Sequence, residues 1–159
     1  MFTSQINRGW RRQGGPNVAA LAGIPPFDRY PARMLTPLAV NADRLKLPEG
    51  TVLAREGSRA RQVVGVVAGT VGAGRGGRPI GVLGPGTWIG TTELLEDRPH
   101  GLSFVAGEGL EVLVLTAPAF RWAASTLPGL GAQCALAQWR AQQAADPAPG
   151  GYSRSGLIG

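Results

Sequence analysis

Between Asp43 and Thr116 the chain is a succession of short apolar runs, many rich in β-branched residues, separated by glycine-bearing polar breaks. The runs are "DRLKL", "TVLARE", "QVVGVVAG", "TVGAG", "RPIGVL", "TWIG", "LSFVAGE" and "LEVLVLT". Pro48-Glu49-Gly50, Gly57-Ser58, Gly69, Gly74 to Gly77, Gly84-Pro85-Gly86 and Gly107-Glu108-Gly109 punctuate them. Eight runs with such turns predict an antiparallel sandwich, jelly roll or small barrel, because glycine admits the positive φ that tight hairpins require. On either side the period lengthens to that of a helix. Two fragments are predicted around Asn17–Ala22 and Tyr30–Ala39, broken by prolines, with Asn17 and Asp28 as caps. A third begins after Thr116, a suitable N-cap, and is interrupted by Pro128. The fourth, "GAQCALAQWRAQQAA", would set Ala132, Leu136, Trp139 and Gln143 along one side and ends at Asp146-Pro147.

The domain map follows from this pattern. Residues 1–16 read as a flexible basic arm and 146–159 as a disordered tail. Residues 17–145 read as one domain: helices over 17–41, the β region over 42–116 and helices over 117–145. A chain of 159 residues has room for one such core and not for two.

Composition changes the picture little. The 25 glycines and 13 prolines suit a turn-rich β protein. The formal charge of +6 is carried almost wholly by arginine, since Lys46 is the only lysine. Most of the arginines are scattered; Arg8, Arg11 and Arg12 cluster around Trp10 and form a candidate docking arm for a protein, a nucleic acid or a lipid surface. One cysteine, Cys134, and one histidine, His100, argue against zinc and Cys–His chemistry. The unpaired cysteine fits a reducing compartment, and with no apolar stretch near the roughly 20 residues of a membrane span, a cytoplasmic location is expected. The run Val18–Ile24 behind the twin arginines is too short and too abruptly stopped by Pro25-Pro26 for an export signal.

From about Leu45 to Pro128 the sequence resembles the cyclic-nucleotide-binding domain family, which includes bacterial cAMP receptor proteins and protein kinase A regulatory subunits. The resemblance lies in the order and spacing of "LPEGTVLAREG", "VVGVVAGTV", "GVLGPGTWIG", "ELLEDRPHGLSFVA" and "EVLVLTAPAFRWAASTLPGL". It implies an eight-stranded jelly roll with short N-terminal helices and one or two C-terminal helices. It also implies a phosphate-binding cassette between two strands: a glycine, a glutamate for the ribose hydroxyl, a helical turn, and an arginine for the cyclic phosphate.

Carried onto this chain, Gly90 falls on the cassette glycine and Thr91 on the ribose glutamate. Thr92, Glu93, Leu94 and Leu95 fill the turn. Pro99 precedes the arginine position, which is His100; Gly101, Leu102 and Ser103 follow where small or hydroxylated residues are usual. Sliding Glu93 or Arg98 into the ligand positions needs a register shift of two at both ends, so the replacements are read as real. Losing a charge-assisted contact to a buried anion forfeits about 1.5–3 kcal/mol, roughly one to two decades of affinity. The resemblance also makes Trp139 a candidate cap over a base, although packing against the jelly roll or a partner helix is the favoured reading of an aromatic there.

The expected function is therefore non-enzymatic: a regulatory or assembly subunit that works through protein partners, with cyclic-nucleotide binding impaired or altered. No cofactor is expected beyond a weakly held cAMP, cGMP or other anion. The other reading is a working cyclic-nucleotide sensor. DNA binding is disfavoured because only about thirty residues follow Pro128, too few for a helix-turn-helix domain. No carboxylate pair, nucleophile–base set or metal cluster suggests catalysis. Homo-oligomerisation and peripheral membrane contact stay open.

Overall fold

A computed structural model describes residues 11–12 and 17–145. Each of the eight runs forms a strand: β2 (Ala42–Lys46), β3 (Val52–Ala54), β4 (Gln62–Ala68), β5 (Val71–Arg75), β6 (Arg78–Leu83), β7 (Trp88–Ile89), β8 (Ser103–Ala106) and β9 (Glu111–Thr116). A two-residue strand, β1 (Arg11–Arg12), precedes them and pairs with Lys46 and Leu45 of β2. The expected free arm over 1–16 is thus tied to the sheet at this point. Arg8, Trp10 and the tail from 146 lie outside the described residues.

The strands form two antiparallel sheets, ordered β1-β2-β9-β4-β7 and β3-β8-β5-β6. Burial on both faces explains why "QVVGVVAG" and "LEVLVLT" read as unbroken apolar runs rather than alternating ones. Val64, Val66, Val112 and Val114 point between the sheets, joining Leu45, Leu53, Val71, Ile89 and Ala106 in the interior of the roll. Val63, Leu113 and Leu115 belong to a second core beneath the helices. The smaller sheet has one wet face, and β8 accordingly alternates: Phe104 and Ala106 pack inward while Val105 is exposed.

The helices are α1 (Asn17–Ala22), a 3-10 turn at Phe27–Arg29, α2 (Ala32–Val40), α3 (Thr91–Glu96), α4 (Ala117–Thr126) and α5 (Leu130–Ala145). Several sequence expectations need correction. Asp28 sits within the 3-10 turn, and α2 follows an N-cap, Pro31, that makes no side-chain cap hydrogen bond. Asn17 does not cap either; its Nδ2 donates across to the Ala42 carbonyl, 2.8 Å away, and ties α1 to β2. Pro37 lies inside α2 without ending it. Thr116 does cap α4, accepting from the Ala119 N–H at 3.3 Å. The packed side of α5 is carried by Leu130 and Cys134, whereas Ala132, Leu136 and Trp139 face solvent. The stripe foreseen there is the outer side, because the helix is rich enough in alanine to pack on either face.

Trp88 is a packing residue. Its ring lies over Gly65, where an added Cβ would come within 2.7 Å, and makes an edge contact with Phe27 at 5.2 Å. Its indole N–H donates to the Pro25 carbonyl at 2.9 Å. This clamps the N-terminal helical segment onto the sheet beside the strand that leads into α3.

Candidate functional site

The short helix α3 begins where the β7 strand meets a backbone constraint. Gly90 has φ +95, and a Cβ there would stand 2.8 Å from the Gln62 carbonyl oxygen, so only glycine fits both the conformation and the approach. The Leu94 N–H closes the first turn on the Gly90 carbonyl. Thr91, Glu93 and Leu94 are buried, Thr92 is half-buried, and the turn ends at Asp97 in the left-handed region.

The return segment is strapped to the β3–β4 loop. The Gly57 N–H donates to the His100 carbonyl and the His100 N–H to the Ser58 carbonyl, both at 2.8 Å. Arg59 faces Pro99 across an isolated antiparallel bridge, and its guanidinium pairs with Asp97. Farther along, the Ser103 hydroxyl accepts from the Glu56 N–H at 2.9 Å. Two segments forty residues apart in sequence thus become one wall.

Behind that wall is a cavity of about 570 Å³, within the range of small-molecule pockets. Leu53, Val64 and Ile89 form its apolar floor; Gln62 and His100 supply polar groups, and Arg55, Arg59 and Arg61 line it as well. No carboxylate is among its described lining residues. Of the candidate residues between Gly90 and Ser103, His100 alone is among those that line this cavity. It is buried, packs edge-on to Phe104 at 6.5 Å, and its Nδ1 has no hydrogen-bond partner. Burial drives its pKa down, against a smaller upward pull from Glu93, so the imidazole is neutral at physiological pH. Gln62 Oε1 is likewise buried without a partner.

The other candidates are placed elsewhere. Arg98 is exposed and pairs with Glu96 at 2.7 Å, turned to solvent. Gly101 is exposed and Leu102 half-buried, and neither lines the cavity. Trp139 is 57% exposed on α5 and is not among the lining residues. The three loop arginines were missed by sequence reasoning. "AREGSRAR" looks like a solvated turn, and nothing short of the pairing with His100 shows that it faces a cavity.

A search by sequence among curated proteins finds no match. The family model described as cyclic nucleotide-binding domain matches residues 44–126. Among solved structures, a cAMP-binding acyltransferase from Mycobacterium smegmatis is 31% identical, with a TM-score of 0.64 over 80% of this chain and 41% of that one. The cAMP-bound regulatory domain of Toxoplasma gondii protein kinase A is 16% identical, with a TM-score of 0.66 over 80% of this chain and 49% of its own, a likeness of fold alone. The chain therefore spans less than half of either structure. A cyclic nucleotide-binding-like protein from Brucella abortus is 27% identical and is covered over 97% of its length, against 69% of this chain, with a TM-score of 0.58.

Proposed function

Since the chain belongs to the cyclic nucleotide-binding domain family, we propose that it is a non-catalytic regulatory module that acts through protein partners and whose cyclic-nucleotide binding is altered and weak. One observation carries this reading: the cavity wall that should present a guanidinium to the cyclic phosphate presents the buried, neutral imidazole of His100. A neutral imidazole offers one hydrogen bond and no charge, where arginine offers two and a full positive charge. Thr91, fully buried, stands where a ribose-binding carboxylate would be and adds no acceptor of comparable strength.

The experiment is calorimetry with cAMP on the wild type and on His100→Arg. The wild type is expected to show no binding at micromolar nucleotide, and the arginine variant to gain about tenfold or more in affinity. Micromolar or tighter binding by the wild type that His100→Ala abolishes overturns the reading in favour of a working cyclic-nucleotide sensor. Regulation through a partner is tested by native co-purification from the source cell. Recovery of a stoichiometric protein partner supports it, and a chain that purifies alone speaks against it.

A further inference from the structure

We propose that the anion-binding side of this cavity has moved from the cassette to the β3–β4 loop, where Arg61 and Arg55, assisted by Arg59, receive the open phosphate of a nucleoside monophosphate. The assignment rests on the reading of the cavity as a ligand site and goes further in naming which wall holds the charge and which phosphate it suits.

Three observations converge on it. The first is the charge distribution: three arginines are among the residues that line the cavity, with no carboxylate among the described lining residues. Of these, Arg59 is engaged by Asp97, whereas Arg55 and Arg61 form no ion pair among the described residues. Two unpaired guanidinium groups match the near-dianionic phosphate of an open monoester better than the monoanion of a cyclic diester. Guanidinium geometry also favours bidentate contact with two phosphate oxygens. The second is position. All three arginines are exposed while the opposite end of the cavity is buried, so a terminal phosphate would stay partly hydrated at the mouth. A cyclic phosphate held at His100 would instead be fully desolvated with no compensating charge.

The third observation concerns the inner end. Gln62 and His100 both line the cavity, and each carries a buried polar atom, Oε1 and Nδ1, that has no hydrogen-bond partner, which costs stability unless a ligand completes it. The Gln62 oxygen calls for a hydrogen-bond donor and the imidazole nitrogen for a polar partner, roles that the hydroxyl and amino groups of a nucleoside fill. The aliphatic floor of Leu53, Val64 and Ile89 suits the face of a base. The ligand is thus oriented with its donors inward and its phosphate outward.

Calorimetry of the full chain with AMP, cAMP and inorganic phosphate tests this directly. AMP is expected to bind about tenfold or more tightly than either cAMP or inorganic phosphate. Arg61→Gln and Arg55→Gln should each weaken AMP about tenfold, and Arg78→Gln, on the β5–β6 hairpin outside the cavity, should leave it unchanged. These residues are exposed, so the variants are expected to fold, which circular dichroism verifies. Failure of AMP to bind at millimolar concentration, a preference for cAMP, or arginine variants without loss would overturn the proposal. Equal binding of AMP and inorganic phosphate would also overturn it, since the cavity would then recognise only a bare anion. The His100→Arg gain with cAMP is independent of these outcomes, so the two readings can fail separately.

Discussion

His100 is the residue on which sequence and structure bear most heavily. Its backbone is fixed by the loop it pairs with, and its ring is buried against Phe104. Burial lowers its pKa from the ordinary value, which makes its titration visible in stability. The unfolded imidazole protonates near about 6.5, whereas the folded one resists until a lower pH. Between those two points the unfolded chain binds more protons, so stability rises with pH. The stabilisation is fully present above about pH 6.5 and is lost as the pH falls through that value toward the folded pKa. Urea unfolding of wild type and His100→Asn at about pH 7.5 and about pH 5.5 checks this: the wild type should lose stability on acidification by more than the variant does. Equal losses would mean that the imidazole is not shielded.

At the level of elements, close approaches decide which residues are tolerated. Gly65 lies on a strand with ordinary negative φ, so its role is purely spatial: the Trp88 ring occupies the place of a side chain. Gly65→Ala is expected to cost about 1–3 kcal/mol in denaturant unfolding, because the clamp between Trp88, Phe27 and Pro25 must shift. A cost below a few tenths would show that the ring moves freely. Thr116→Ala removes the cap of α4 and should cost about 1 kcal/mol by the same measurement. The cost of the first change should spread to the N-terminal helices through Trp88. That of the second should stay with α4, since the capped N–H belongs to its first turn.

At the scale of the molecule, α5 closes the helical core over the larger sheet, with Leu130 and Cys134 as its buried contacts. Burial pushes the Cys134 thiol up to about 12, leaving almost no thiolate at neutral pH. Thiol-reagent labelling is therefore expected to be negligible in the native chain and rapid in denaturant. Rapid native labelling would show that α5 undocks readily. The solvent-facing Leu136 and Trp139 leave the same helix with an apolar outer side. No helix among the described residues is long and apolar enough to cross a membrane.

The eight strands and the family were legible in the chain because burial on two faces, alternation on one, and glycine at tight turns each leave a local mark. "QVVGVVAG" and "LEVLVLT" could hardly be anything but inner strands, and Gly90 announced its turn. The short helical turn that follows Gly90 was legible for the same reason, being read by position along one segment. What the sequence could not show is which segments face each other. The packed side of α5 was decided by Leu130 and Cys134 meeting the core, in a helix whose alanines express no preference. The arginines of "AREGSRAR" acquired meaning only when backbone pairing of Ser58 with His100 set that loop beside the cavity. Local propensity and burial are properties of short stretches of chain, so they are written there. A cavity wall is made by two segments distant in sequence, and only the folded arrangement determines it.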